Sequence, residues 1–200
     1  EMPHGWDFQH TDQFGETIDI VELARAHIDT EITVSDGGTM AAAKYGTANI
    51  SRTVPTDDFL EFLAWYITEG GVYEAKTANY RISIAQEDSN QRAEIANLVE
   101  QFVDYCYTDD RSVSFSSRVW SELLAELCGS GSANKQIPEF VFEASGSQKR
   151  SFLETLIKGD GDWQKNAWRF STTSHRLRDD VMRLCTHLGL TANYTKEGAT

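Results

Sequence analysis

No run of about 18 apolar residues occurs in this chain, so nothing in it reads as a membrane-spanning helix. No signal peptide is visible either, and the opening Glu1-Met2-Pro3 suggests a fragment or an excised segment. Cysteine is scarce. Cys106, Cys128 and Cys185 are an odd number without CxxC spacing, which excludes a disulfide framework and predicts reduced thiols in a cytoplasmic protein. His4 and His10 stand at the start, where a loose terminus is expected rather than a zinc site. Basic residues are also few: 18 Lys and Arg against 31 Asp and Glu give a net charge of −13. At low salt that balance argues against a nucleic-acid partner. The acids are spread along the whole chain, however, with no acidic tail. At molar salt the screening length falls to about 3 Å and only local contacts count. The charge therefore leaves DNA binding open and suggests an organism that accumulates salt.

What the chain does have is enough apolar residue, 40%, and five tryptophans for a real core. Two hundred residues make one large domain or two small ones.

Two stretches organise the rest, Phe62-Leu63-Ala64-Trp65-Tyr66-Ile67-Thr68-Glu69-Gly70 and Leu153-Glu154-Thr155-Leu156-Ile157-Lys158-Gly159-Asp160-Gly161. Each is a mostly apolar helical segment closing on acid-Gly. An acid at a helix C-terminus is disfavoured by roughly 0.3–1 kcal/mol, because that end already carries partial negative charge. Gly70 and Gly161 fit the left-handed residue that ends a helix. Two such ends in one chain suggest carboxylates gathered at one spot, where a divalent cation would relieve their repulsion. Ala64 with Thr68, and Thr155 with Gly159, are small residues four apart that let two helices approach side by side. If the helices run parallel, Glu69 and Asp160 meet at the end of the seam.

In chain order, Ile18 to His27 predicts an amphipathic helix, and Glu31 to Ala41 a hairpin turning at Asp36-Gly37-Gly38. Thr56 is expected to cap the first key helix. Strands are expected over Val72–Lys76 and Tyr80–Gln86. A helix is expected over Ser89–Cys106, with Ile95, Leu98, Val99, Phe102 and Val103 on its apolar face. Asp109-Asp110 turns into a strand to Ser116, and Val119–Cys128 reads as a second helix. After the second key segment come a strand over Lys165–Thr173, a helix capped by Ser174 and stopped by Gly189, and a strand beginning at Leu190. Period-2 alternation puts Arg81 and Ser83 on one face and Ile82 and Ile84 on the other.

The order recurs, and so do the letters: Tyr80-Arg81-Ile82-Ser83 matches Trp168-Arg169-Phe170-Ser171, and Ile95, Leu98 and Phe102 match Val181, Leu184 and Leu188. The chain reads as a duplication with small deletions in the second copy. The expected division is 1–55, an accessory or linker segment; 56–147, the first repeat; and 148–200, an incomplete second repeat.

The two acid-ended segments resemble the motif pair of single-chain LAGLIDADG homing endonucleases, especially those embedded in inteins. Asn134-Lys135-Gln136-Ile137-Pro138-Glu139-Phe140 is similar to that family's Lys-x-Ile-Pro element. Ser171-Thr172-Thr173-Ser174 with Arg176-Leu177 and Leu188-Gly189-Leu190 is similar to its second-repeat strand and helix. The resemblance covers residues 56–200. It implies an α+β fold of two pseudo-symmetric αββαββα halves around two parallel central helices, the second half cut short. It implies a monomer that cleaves both strands of DNA with Mg²⁺, or Mn²⁺ in its place. By resemblance Glu69 and Asp160 are the metal ligands and catalytic acids. Lys135 is the basic residue stabilising charge or positioning water near one metal. Lys76, Arg81, Lys165 and Arg169 on the sheets are the candidates for reading DNA in the major groove. Ala64 and Thr155 stand where the family often has Gly, so a slightly wider seam is expected. A second basic residue expected in the second repeat is not found. With no N-terminal Cys or Ser and no C-terminal His-Asn, the segment is not expected to splice itself. A catalytically inactive LAGLIDADG-like binding protein, acting as regulator or splicing helper, is the rival from another class, and an inactive structural remnant is the third. Retention of both acids favours the nuclease.

Overall fold

The computed structural model of the chain describes residues 15–34, 39–42, 50–73, 80–164 and 166–196. It begins with β1 (Thr17–Asp19) and α1 (Ile20–His27). The helix starts two residues later than the apolar pattern suggests, because Ile18 is taken into antiparallel pairing with Val54 of β5 (Thr53–Pro55). Asp19 caps α1, its carboxylate accepting from the N–H groups of Val21 and Glu22 at 2.9 and 3.1 Å. The expected hairpin forms from β2 (Ile32–Val34) and β3 (Thr39–Ala42), and β4 (Ile50–Ser51) adds to it. Its turn lies outside the described residues, as do His4 and His10. The segment before residue 56 shares the common core through Ile20, Val21 and Ala24.

Helix α2 (Thr56–Glu69) is the hub. Phe59, Phe62, Leu63, Ala64, Trp65 and Tyr66 are fully buried, as expected for a helix apolar on every side. Phe62 meets Phe102 at 5.3 Å and Trp120 at 5.5 Å between ring centroids. Thr56 is not the cap. Its hydroxyl donates instead to the Gly15 carbonyl at 2.7 Å, leaving Pro55 at the cap position without a side-chain bond.

From α2 the chain enters β6 (Gly70–Tyr73) with no loop, then β7 (Arg81–Ala85), α3 (Ser89–Val99), β8 (Tyr107–Thr108), β9 (Ser112–Ser116) and α4 (Arg118–Cys128). The strands form an antiparallel sheet in the order β6-β7-β9-β8. Ile82 and Ile84 face the core, while Arg81 lies exposed and Ser83 half-buried on the other face, the alternation the sequence predicts. Helix α3 stops at Val99, short of the expected Cys106. Ser51 draws the chain away there, its hydroxyl donating to the Gln101 carbonyl and its N–H to that of Phe102, both at 3.0 Å. Phe102 and Val103 stay buried regardless.

Two short 3-10 turns, Ser132–Asn134 and Glu139–Glu143, lead to α5 (Gly146–Asp160), which opens on a capping box between Ser145 and Gln148. Next come β10 (Gly161–Gln164), β11 (Ala167–Phe170) and α6 (His175–His187), capped by Ser174 as expected. Gly189, at φ +68°, ends α6. Its N–H donates to Thr186 O and that of Leu190 to Cys185 O, a Schellman close. Where one strand was expected over 165–173 there is a hairpin, because Gly161 pairs back onto Phe170. The expected strand from Leu190 is absent. Residues 191–196 form no regular element, and no strand among the described residues pairs with them.

Helices α2 and α5 run parallel. At their starts Gln148 Nε2 donates to Asp57 at 2.8 Å, and at their ends Gly159 lies against Thr68 so closely that a Cβ would overlap the threonine side chain. Among the described residues α5-β10-β11-α6 repeats the order of α2-β6-β7-α3, without a following strand pair and helix. The structural offset differs from the lettered one. The caps Asp88 and Ser174 are 86 positions apart. Ile84 and Phe170, the partners of Gly70 and Gly161, are also 86 apart. Arg169 therefore corresponds to Ser83, two residues along the same face from Arg81.

Candidate active site

Glu69 and Asp160 are the last residues of α2 and α5. Each is followed directly by a glycine that begins a strand. These glycines are extended, at φ −90° and −115°, not left-handed as the sequence pattern suggests, because the chain runs straight on into β6 and β10. Glycine is required there for closeness. A Cβ on Gly70 would stand 2.5 Å from the Tyr66 carbonyl oxygen, and one on Gly161 2.6 Å from that of Ile157.

Both acids resist ionisation. Burial, and then the charge of Asp160, push Glu69 up to about 7. Asp160 presents much of its surface to solvent, yet desolvation of its carboxyl raises it to about 6, with the Lys135 charge pulling the other way. No hydrogen bond or ion pair from another described residue reaches either carboxylate. Two parallel helices add their negative ends at the same place.

Lys135 is 3% exposed, in contrast to an ordinary surface lysine. Its Nζ donates to the Tyr66 carbonyl at 2.7 Å and stands 3.4 Å from the centroid of the Tyr66 ring. Burial lowers its ammonium to about 8, with the charge of Asp160 pulling the other way. With Asp160, Gly70, Ser171, Thr172 and Thr173 it lines a cleft of about 440 Å³.

The fold thus gathers Asp160, Lys135 and the residue next to Glu69 around one cleft. The remaining candidates lie on the sheets. Arg81 donates to Ser114 Oγ at 3.0 Å on β7. Arg169 on β11 makes a two-pronged contact with Asp162 at 2.8 and 3.1 Å. Lys76 and Lys165 lie outside the described residues. Tyr66 and Ser174 carry no site role in the sequence reading. Tyr66 sits four before Gly70 on the apolar helix, where it looks like any core aromatic.

Among the described residues no group of three or more His, Cys, Asp and Glu side chains is gathered to hold an ion. Two carboxylates with no other partner among the described residues still suit a hard cation such as Mg²⁺, which binds through one or two carboxylates and keeps water or phosphate oxygens for the rest. No helix among the described residues is long and apolar enough to cross a membrane.

Residues 147–200 match the model of the LAGLIDADG-like domain family. The DNA polymerase of Thermococcus litoralis is 31% identical over 158 residues, covering 74% of this chain and 9% of that protein. The DNA-directed RNA polymerase subunit Rpo1C of Methanocaldococcus jannaschii is 27% identical over 211 residues, 92% of this chain and 23% of that protein. A DNA gyrase subunit of Mycobacterium gordonae is 35% identical over 72 residues, 34% of this chain and 13% of that protein. The chain spans less than a tenth of the Thermococcus litoralis polymerase it matches.

Proposed function

We propose that this chain is a site-specific double-strand DNA endonuclease of the LAGLIDADG homing type, derived from an intein, in which a divalent cation, Mg²⁺ or Mn²⁺, serves phosphodiester hydrolysis. One observation carries the reading: two parallel helices end on carboxylates that are reluctant to ionise and take no hydrogen bond or ion pair from the described residues, beside a buried lysine and an open cleft. The comparisons support the setting. A gyrase subunit, an RNA polymerase subunit and a DNA polymerase are different proteins, yet each resembles this chain over a minor part of its length. A segment shared by such unlike hosts fits an insertion carried within them.

On this reading Glu69 and Asp160 hold the cation, which when bound supplies charge neutralisation and an acidified water. Lys135 presents a positive donor beside Asp160, where it offsets charge that builds on the cleaved phosphate. The two hairpins, with Lys76 and Arg81 in the first repeat and Lys165 and Arg169 in the second, face DNA. The repeats, 56–147 and 148–200, are related by a pseudo-two-fold axis along the helix seam, with residues 1–55 as an accessory segment. The protein acts as a monomer in the cytoplasm, and its diffuse acidity suits a salt-rich interior.

The test is cleavage of a plasmid carrying the uninterrupted host gene, in high salt, with and without Mg²⁺, against Asp160→Asn. Double-strand cuts at one site by the wild type alone are expected. The two-stranded second sheet favours one rival, a LAGLIDADG-like protein that binds nucleic acid without cutting it. Specific binding with no nicking under any metal would establish that rival instead.

A further inference from the structure

We infer that Tyr66 and Ser174 are positioning residues that clamp Lys135 from opposite sides, one from each repeat, and so set where its ammonium stands beside Asp160. The inference rests on the endonuclease reading for the use made of Lys135 and goes beyond it in naming what holds that residue.

From the first repeat, Tyr66 supplies two contacts to one ammonium, its main-chain oxygen at 2.7 Å and its ring face at 3.4 Å. The ring is itself tied down, since its hydroxyl donates to the Gly129 carbonyl at 3.2 Å. Tyr66 is fully buried, so its ring has no room to swing. From the second repeat, Ser174 holds the main chain of the same lysine. Its Oγ donates to the Lys135 carbonyl at 2.6 Å and accepts the Leu177 N–H at 3.1 Å. One hydroxyl, 1% exposed, thus caps α6 and fixes residue 135. An ammonium has three donors, and a neutral carbonyl and a ring face make a poor exchange for water. An apolar side chain of similar size would fill the space at lower cost. Holding a charge there from both ends makes sense as placement of that charge at the cleft it lines.

The test labels lysines in the intact chain with an amine-reactive reagent and reads each site by peptide mass spectrometry, without DNA or cation. Lys149 is a built-in reference for fold, being 2% exposed and held by the Phe142 carbonyl at 3.3 Å. Lys158, with 46% of its side chain exposed, reports the reagent. Tyr66→Leu is expected to raise labelling of Lys135 at least tenfold with Lys149 unchanged. Tyr66→Phe, which keeps the ring face that Tyr66→Leu removes, should stay within threefold of wild type. Ser174→Ala should expose Lys135 in the same way, and Ser174→Thr should restore its protection. In cleavage assays Tyr66→Leu should lower the single-turnover rate at saturating DNA at least tenfold, with DNA Kd within twofold. A folded Tyr66→Leu or Ser174→Ala protein with Lys135 still protected would overturn the inference. So would Lys149 opening in step with Lys135 in both variants, which would assign the change to general loosening. Failure of the endonuclease reading shows separately, as absence of cutting by the wild type.

Discussion

The two hairpins that follow the acid-ended helices share an order and a register but not a covering. In the first, Ile82 and Ile84 lie 0% and 1% exposed beneath the helices of a four-stranded sheet. In the second, Trp168 holds the position of Ile82 and is 61% exposed, stacked edge-on against Trp163 at 5.0 Å. The same local pattern therefore yields a core in one half and an open face in the other. Among the described residues β9 and β8 extend the first hairpin's sheet, and no strand extends the second's. The ends of α2 and α5 are alike, each an acid followed by a glycine that opens a strand, although the packing beyond them differs.

The comparison can be broken first at the acids. Asp160→Asn and Glu69→Gln should each cut the single-turnover cleavage rate by at least about 10²-fold, in the range of lost charge stabilisation, with DNA Kd little changed. A loss from one alone would show the halves to be unequal in chemistry as well as in packing. Next, Ile82→Ala should cost about 2–5 kcal/mol in urea unfolding, as buried truncations do, against less than about 1 kcal/mol for Trp168→Ala. Equal costs would mean that the second hairpin is covered after all. Gly159→Ala should cost about 1–3 kcal/mol, because the new methyl meets Thr68 across the seam. Gly146→Ala at the start of the same helix, where a Cβ meets nothing within 4 Å, should be neutral. The smallest effect concerns charge. Both acids have folded pKa values above their ordinary ones, so the native state pays for their ionisation. That cost is full above about pH 7 and vanishes below about pH 4. Glu69→Gln and Asp160→Asn should therefore stabilise the cation-free protein by about 1 kcal/mol at pH 8 after allowance for solvent screening, and by nothing at pH 4. Mg²⁺ should raise the Tm of the wild type at pH 8 and leave these variants unmoved. Cleavage should also fall as Lys135 loses its proton near 8.

Much of this was legible because it is written in local patterns. The apolar run of α2, the caps at Asp88 and Ser174, and the alternation of Arg81 to Ile84 each follow from a few neighbouring residues. Acid-Gly at two helix ends pointed to the pair, and small residues four apart pointed to the seam. What the sequence hid depends on contacts from afar. Ser51 ends α3 early, Gly15 takes the hydroxyl of Thr56, and β5 captures Ile18. The true hairpin offset was masked by a chance match of letters two residues out of step. Lys135 stood out only by its Ile-Pro context, and nothing in that context says that it is buried, since its two holders lie 69 and 39 positions away.

Neither Glu69 nor Asp160 is separated from its strand by even one residue of loop. A joint of that kind has no slack. On the proposed reading, any tilt of a hairpin against DNA would be carried through a single peptide unit to the carboxylate at the helix end. On that reading, inserting one flexible residue at either joint would loosen the tie between hairpin and acid while leaving both in place.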